Sequence, residues 1–309
     1  TWSGVGYRPS VRHAAATDLD AAAEVLNAGE KVAILAGAGV KDAVEPLLKL
    51  SDALGAGIAK AVLAKTMISD YQPGVTGTLG LLGTEPSDRM MRHCDTLLLV
   101  GTSFPYAEFL PEEDQARAVQ IDIDAANLGL RYPTEVNLHG DAAATLEALL
   151  ERITPKQDTR WRADLEERIA DWWDTVEARA YTSAEPLNPQ RIFWELSSRL
   201  PDDTRLAADV GTATDWYARF LKVNGKVQGT TSGGLASMGN GVPYALAAKF
   251  AEPDKPVVAL MGDGSFLYNP VVQSLGVANE SGLPILIILF NNKKYSVMQS
   301  IHLGWYPEG

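Results

Sequence analysis

The sequence predicts two three-layer α/β/α domains with mainly parallel sheets. Three observations point there. Continuous apolar runs of strand length alternate with longer amphipathic stretches, the pattern of parallel strands covered on both faces. The series occurs twice, with a charged helical segment between. The chain has 309 residues, enough for two full hydrophobic cores.

The first series opens with "KVAILAG" (31–37), a strand, then "VKDAVEPLLKLSDALG" (40–55), a helix ending on Gly55. "DTLLLVG" (95–101) and "AVQIDID" (118–124) are two further buried strands, and "DAAATLEALLERI" (141–153) is the closing helix. These elements define a first domain over 1–155. Residues 156–186 are charged and helical, and read as a linker containing a surface helix that Trp161, Trp172 and Trp173 pack onto a neighbour. Acidic residues outnumber basic ones there, against a basic-aromatic binding patch. The second domain, 187–309, begins with the helix "NPQRIFWELSSRL" (188–200) and the strand "TRLAADVG" (204–211). "PYALAAKFA" (243–251) is a helix, "PVVALMGDG" (256–264) a strand, "NPVVQSLGVANESG" (269–282) a helix and "LPILIILFNN" (283–292) a strand. No helix is expected after that strand, so the domain reads as interrupted at "GWYPEG".

The composition, 46% hydrophobic and 21% charged, is that of a globular protein. A formal charge of -12 disfavours nucleic acid and anionic membrane surfaces as general partners. Cys94 is the sole cysteine; no internal disulfide can form, which fits a reducing compartment, and its apolar context reads as a small buried hydrophobe. No window approaches the roughly 18 apolar residues that span a bilayer, and no signal peptide opens the chain. A cytoplasmic protein without an integral membrane segment is expected.

Function is carried by "MGDGSFLYNP", Met261–Pro270, and by "NN", Asn291–Asn292. Each stands at the carboxyl end of a strand, where open parallel sheets bind ligands. A carboxylate, an amide oxygen, a backbone carbonyl and phosphate oxygens form a hard oxygen shell suited to Mg²⁺ or Ca²⁺. Gly262 and Gly264 let a diphosphate approach the backbone, and Ser265 offers a hydroxyl. Gly-Asp-Gly alone is a common turn. The combination with the paired asparagines is far more specific.

These residues resemble the thiamine diphosphate enzyme family, whose signature is Gly-Asp-Gly, a spacer of this length, then Asn-Asn. Leu246, Ala247, Pro253, Val258 and Leu260 lead into it at the family's offsets. The resemblance implies that Asp263 and Asn292 bind the metal through their side chains and Lys294 through its carbonyl. Many relatives have Gly at position 294; only the carbonyl is needed. "SGGLASMGNGVPYALAA" (232–248) is similar to the segment that holds the aminopyrimidine. There Met238 would prop the cofactor into a bent shape and the Ala236 carbonyl would accept from its 4′-amino group. The bland alternative for Met238 is core filler. "DVGTATDW" (209–216) is similar to the diphosphate loop, with Gly211, Thr212 and Ala213 in position; as local structure it reads equally as a strand-to-helix turn.

The first half resembles the central, Rossmann-like domain of the pyruvate oxidase and acetolactate synthase branch, through "TGTLGLLGT" (76–84), "LLLVGTSFPYAEFLP" (97–111), "VQIDID" (119–124) and "HGDAAATL" (139–146). In flavin-bearing members this domain holds FAD. The glycines Gly77 and Gly80 would lie against the flavin's chain, and Asp122, Asp124 and Asp141 near the adenosine end. Other branches keep the fold without flavin, and these glycines then only shape loops. "GAGV" (37–40) lacks the full dinucleotide fingerprint, so NAD is not expected.

The resemblance implies decarboxylation of a pyruvate-like 2-oxo acid, followed by oxidation or carboligation, with thiamine diphosphate, Mg²⁺ and in one branch FAD. The full enzyme would be a homodimer or homotetramer. The family's pyrimidine-binding domain, with its activating glutamate, has no counterpart here, so the catalytic residue is unassigned and this chain alone is expected to be inactive. A benzoylformate-type decarboxylase without flavin is the alternative, to which "GDGSFLYNP" also bears likeness. So is a non-catalytic nucleotide-binding assembly module.

Overall fold

A computed structural model describes residues 10–268 and 270–307. Residues 1–9, which begin the first expected domain, Asn269, the first residue of the helix expected at 269–282, and the terminal 308–309 lie outside the described residues. In chain order the elements begin α1 (Ala16–Ala28), β1 (Val32–Ala36), α2 (Val44–Leu54), β2 (Gly57–Lys60), β3 (Val75–Thr78), α3 (Glu85–His93) and β4 (Thr96–Val100). There follow β5 (Arg117–Asp122), β6 (Val136–His139), α4 (Ala142–Leu150), the long α5 (Arg160–Ala180) and α6 (Pro189–Arg199). The remainder are β7 (Arg205–Ala208), α7 (Thr212–Phe220), β8 (Gln228–Thr231), α8 (Gly241–Ala251), β9 (Val257–Gly262), the single turn α9 (Asp263–Phe266), α10 (Val271–Glu280), β10 (Leu286–Phe290) and α11 (Ser296–Trp305).

The strands form two sheets, of order β3-β2-β1-β4-β5-β6 and β10-β9-β7-β8. Their described pairings, β1 with β4, β4 with β5, β5 with β6, β7 with β8 and β9, and β9 with β10, are all parallel. This is the two-sheet α/β architecture the alternation predicts. Helix α11 corrects one expectation: a helix does follow the last strand. Among its residues none is buried, so no apolar stripe facing a core marks it in the sequence.

By compactness the described residues fall into two units, one within 10–59 and 89–164, the other within 60–88 and 165–307.

In the first unit β1 and β4 are buried throughout. Strand order reverses between them, and glycines let the loops after the two strands touch. A Cβ on Gly39 would sit 2.7 Å from the Gly101 Cα. The Gly39 N–H donates to the Gly101 carbonyl at 3.0 Å. "GAGV" is thus a close-packing device between two loops. Helix α2 ends as its sequence indicates, with Gly55 at φ 57° as a left-handed cap. Cys94 is buried, and burial pushes its thiol up to about 12; it is an inert core residue. Trp161 donates its indole N–H to the Val32 carbonyl at 3.0 Å.

In the second unit the period-two pattern sorts side chains onto two faces. Leu206, Ala208, Val258 and Leu260 join Trp173, Val176, Phe193 and Tyr217 in one core. Ala207, Val257, Ala259 and Met261 join Val242, Ala245 and Val271 in the other. Phe193 of α6 stacks on Phe290 at the end of β10, centroids 4.8 Å apart, which anchors the edge strand just before Asn291.

Segment 60–88 belongs here because of its polar ties. Lys60 and Lys65 each place an ammonium 2.7 Å from Asp70, and all three are buried. The second Asp70 oxygen also accepts the Val223 N–H at 2.9 Å, and Thr66 accepts from Gly229 at 2.8 Å. Burial opposes ionisation of Asp70, yet two cations outweigh it and hold the carboxyl below its ordinary range. One carboxylate cannot compensate two lysines, so burial draws Lys60 down to about 8.

Asp70→Asn leaves two buried ammoniums without a counter-charge. Urea denaturation should show a loss of about 3–5 kcal/mol; a loss below about 1 kcal/mol would contradict this account.

Candidate cofactor site

Strand order places the site. From β7 the chain runs through α7 to β8 on one side, then through α8 to β9 on the other side of β7. The order reverses between β7 and β9, and in an open α/β sheet such a switch point leaves a crevice beyond the carboxyl ends. Register sets the level of those ends. Ala208 pairs with Leu260, and Phe290 pairs with Gly262. Asp209, Asp263 and Asn291 therefore leave the sheet from three adjacent strands, and the two ends of the Met261–Asn292 segment meet.

Asp263 opens α9 with Gly262 before it. Its carboxylate enters no hydrogen bond or ion pair among the described residues and is half-buried, available as a ligand. Nothing lies within 4 Å of where a Gly262 Cβ would stand, while a Gly264 Cβ would strike the Tyr295 ring at 2.6 Å. The two glycines thus differ: one leaves space, the other admits an aromatic ring. Ser265 is buried and donates its hydroxyl to the Val210 carbonyl at 3.0 Å. The loop 291–295 is held by its own amides: Asn291 accepts from Lys293 at 3.2 Å, and Asn292 from Lys294 at 3.1 Å. Lys293 takes φ 57°, a left-handed conformation costly for a side-chain residue and frequent at functional sites. Asn292 Oδ1 retains a lone pair, and Asn292 and Lys294 are exposed.

After β7, Gly211 adopts φ 126° as the N-cap of α7, open only to glycine. No atom comes within 4 Å of its missing Cβ. The N–H groups of Thr212 and Ala213 stand at this helix start, where the first-turn donors have no partner within the helix and an anion is favoured. Arg219 further along α7 donates to the carbonyls of Gly83 at 2.9 Å and Leu81 at 2.5 Å.

The 232–241 segment is shaped by its backbone. Ala236 takes φ 50°, and its side chain is exposed. Met238 is half-buried and is not among the residues of the two cores described above. Asp209 is the residue sequence reasoning passes over. It is fully buried and its carboxylate accepts N–H groups of Val210, Gly239 and Gly241 at 2.7, 3.0 and 2.7 Å. The run "RLAADVG" places it two residues ahead of Gly211, which on its own marks no function.

The remaining expected contacts have local partners. Gly77, φ 109°, packs against Thr84, whose side chain would lie 2.6 Å from a Cβ there, and Gly80 takes φ 98°; both are in the second unit. In the first unit Asp122 accepts from the Asp124 N–H at 2.8 Å. Asp124 accepts from Ala126 at 3.0 Å. Asp141 caps α4 through the Ala144 N–H at 3.0 Å.

The oxygen set after β9 and β10, with open space at Gly211 and Gly262, fits a hard cation and a diphosphate. Among the described residues no three His, Cys, Asp or Glu side chains converge, so one carboxylate, an amide oxygen and backbone make up the set. No described helix is long and apolar enough to cross a membrane.

Comparison with known proteins agrees. Residues 19–149 match the family model described as thiamine pyrophosphate enzyme, central domain, and residues 209–306 match thiamine pyrophosphate enzyme, C-terminal TPP binding domain. The chain belongs to the thiamine pyrophosphate enzyme family. It is 38% identical over 277 residues to YdaP of Bacillus subtilis (strain 168), provisionally named a thiamine pyrophosphate-containing protein, over 90% of this chain and 48% of that one. A probable acetolactate synthase large subunit of Methanococcus aeolicus is 30% identical over 309 residues, 94% of this chain and 51% of that one. Pyruvate oxidase of Lactiplantibacillus plantarum is 28% identical over 277 residues, 89% and 46% respectively. The chain spans about half the length of these relatives.

Asp215, in the first turn of α7, has its carboxyl pushed up from 3.8 to about 6, by desolvation that the nearby Arg219 only partly offsets. A raised carboxyl pKa adds stability that is complete below 3.8 and lost as pH rises through about 6. Asp215→Asn should remove this slope. Melting temperatures of the two proteins should diverge across that window, wild type falling below the variant at its upper end; parallel curves would refute the assignment.

Proposed function

We propose that this chain carries the metal–diphosphate half of a thiamine diphosphate site, in a protein that decarboxylates a pyruvate-like 2-oxo acid. The observation carrying this reading is the pairing of Gly262 with Phe290 beside the switch point, from which Asp263 and Asn292 emerge together. In this reading Mg²⁺ is held by the side chains of Asp263 and Asn292 and the Lys294 carbonyl. The amides of Thr212 and Ala213, beside the open space at Gly211, take the diphosphate, and Ser265 fixes the Val210 end of that loop. Ala236 offers its carbonyl and Met238 its side chain to the aminopyrimidine. Thiamine diphosphate, when bound, supplies the electron sink for loss of CO₂ from a 2-oxo acid.

Relatives named acetolactate synthase and pyruvate oxidase support a pyruvate-like substrate and an oxidative or carboligating outcome. A flavin as second cofactor enters this reading only through the resemblance of the first half to the flavin-bearing branch. Apolar side chains exposed on β10 and α11, including Leu286, Met298 and Trp305, support a dimeric or tetrameric assembly.

Calorimetric titration of thiamine diphosphate into the purified protein should show Mg²⁺-dependent binding. Asp263→Ala should weaken it by at least about 100-fold, since even outer partners of metal ligands are worth 10–100-fold. Metal-independent binding, or a variant that binds as tightly as wild type, would sink the reading. Flavin absorbance of the same sample should accompany the oxidising or carboligating outcome; a colourless protein that releases an aldehyde from a 2-oxo acid would favour the flavin-free decarboxylase instead.

A further inference from the structure

Two of the groups of assigned residues lie on the loop after β7 and on the segment before α8. Neither group includes what joins them. Asp209 is fully buried, and its carboxylate meets backbone N–H groups from both. One oxygen accepts from Val210 at 2.7 Å and Gly239 at 3.0 Å. The other accepts from Gly241 at 2.7 Å. The rest of the residue is used as well: its N–H donates to the Leu260 carbonyl of β9 at 2.7 Å, and its carbonyl accepts the Thr214 hydroxyl at 2.6 Å. Three segments of chain, the 210–214 loop, the 236–241 segment and β9, thus converge on one residue.

The approach is close. A Cβ on Gly241 would lie 3.0 Å from an Asp209 carboxylate oxygen and 3.1 Å from its Cβ, so glycine is what allows the third bond. Hydrogen bonds to a buried carboxylate are shorter and stronger than neutral ones. A buried polar group left without its partner is costly. The tie is therefore stiff, and it spans the two places where opposite ends of an elongated ligand would sit.

We propose that Asp209 is a positioning residue: it sets the spacing between the 210–214 loop and the 236–241 segment, so that the diphosphate and aminopyrimidine ends of the cofactor bind as one. This rests on the cofactor reading above. A residue that merely supports the diphosphate loop would affect a short and a long ligand alike. A spacer affects the long one.

Asp209→Asn preserves shape but replaces one acceptor oxygen with a donor facing an N–H. Titrations with inorganic diphosphate and with thiamine diphosphate, both with Mg²⁺, separate the roles. The expected result is diphosphate affinity within about threefold of wild type and thiamine diphosphate affinity at least about tenfold weaker, the scale of one buried unsatisfied group. Hydrogen exchange of the ligand-free protein should show faster exchange at Gly239 and Gly241 with α6 unchanged. Equal losses for the two ligands, or unaltered exchange at both glycines, overturn the proposal while the cofactor reading stands. Wild type binding neither ligand overturns that reading and this proposal together. If Asp209→Asn does not fold, Gly241→Ala presses on the same contact from the other side and is held to the same ratio.

Discussion

The parallel ladder joining β7, β9 and β10 is the constraint on which the rest of this molecule's chemistry depends. Backbone hydrogen bonds fix register, and register fixes the level at which each strand ends. Because Ala208 pairs with Leu260 and Phe290 with Gly262, a carboxylate and an amide reach the same crevice from stretches far apart in sequence. The apolar runs that build the ladder carry none of the chemistry. Their packing on both faces, including Phe193 on Phe290, keeps the ends aligned.

Two buried carboxylates show different ways to settle a charge away from water. Asp70 is met by two lysines and a backbone amide, which leaves excess positive charge. Asp209 is met by backbone N–H groups alone. The first ties segment 60–88 into the second unit; the second ties loops around the crevice. In both, the charge is compensated by geometry that only the folded chain supplies.

How far the sequence speaks can be judged residue by residue. Strands β1, β4 and β9 are legible as uninterrupted apolar runs. Strands β3, "VTGT", and β8, "QGTT", are not: they are short and rich in Gly and Thr, and propensity is a weak guide in that context. Helix α11 is apolar on more than one side and exposed, so no stripe announces it. Around the crevice, Asp263 and Asn292 are legible because glycine and asparagine punctuate strand ends. Asp209 is not, since contacts from a side chain to distant backbone leave no periodic trace. The left-handed turn at Ala236 is equally silent, because alanine gives none of the warning that glycine would.

Strand β10 lies at the edge of its sheet and contributes the last of the proposed ligands. Each residue of slip along it would move Asn292 by about 3.3 Å and turn alternate side chains to the opposite face. A cation bound there would be selective for one register, and would stabilise that register alone by about 2.7 kcal/mol at a hundredfold excess over its dissociation constant. The metal would then act as a proofreader of register, rewarding only those molecules in which β10 has docked correctly on β9. Cation uptake becomes a count of correctly registered strands as much as of intact ligands.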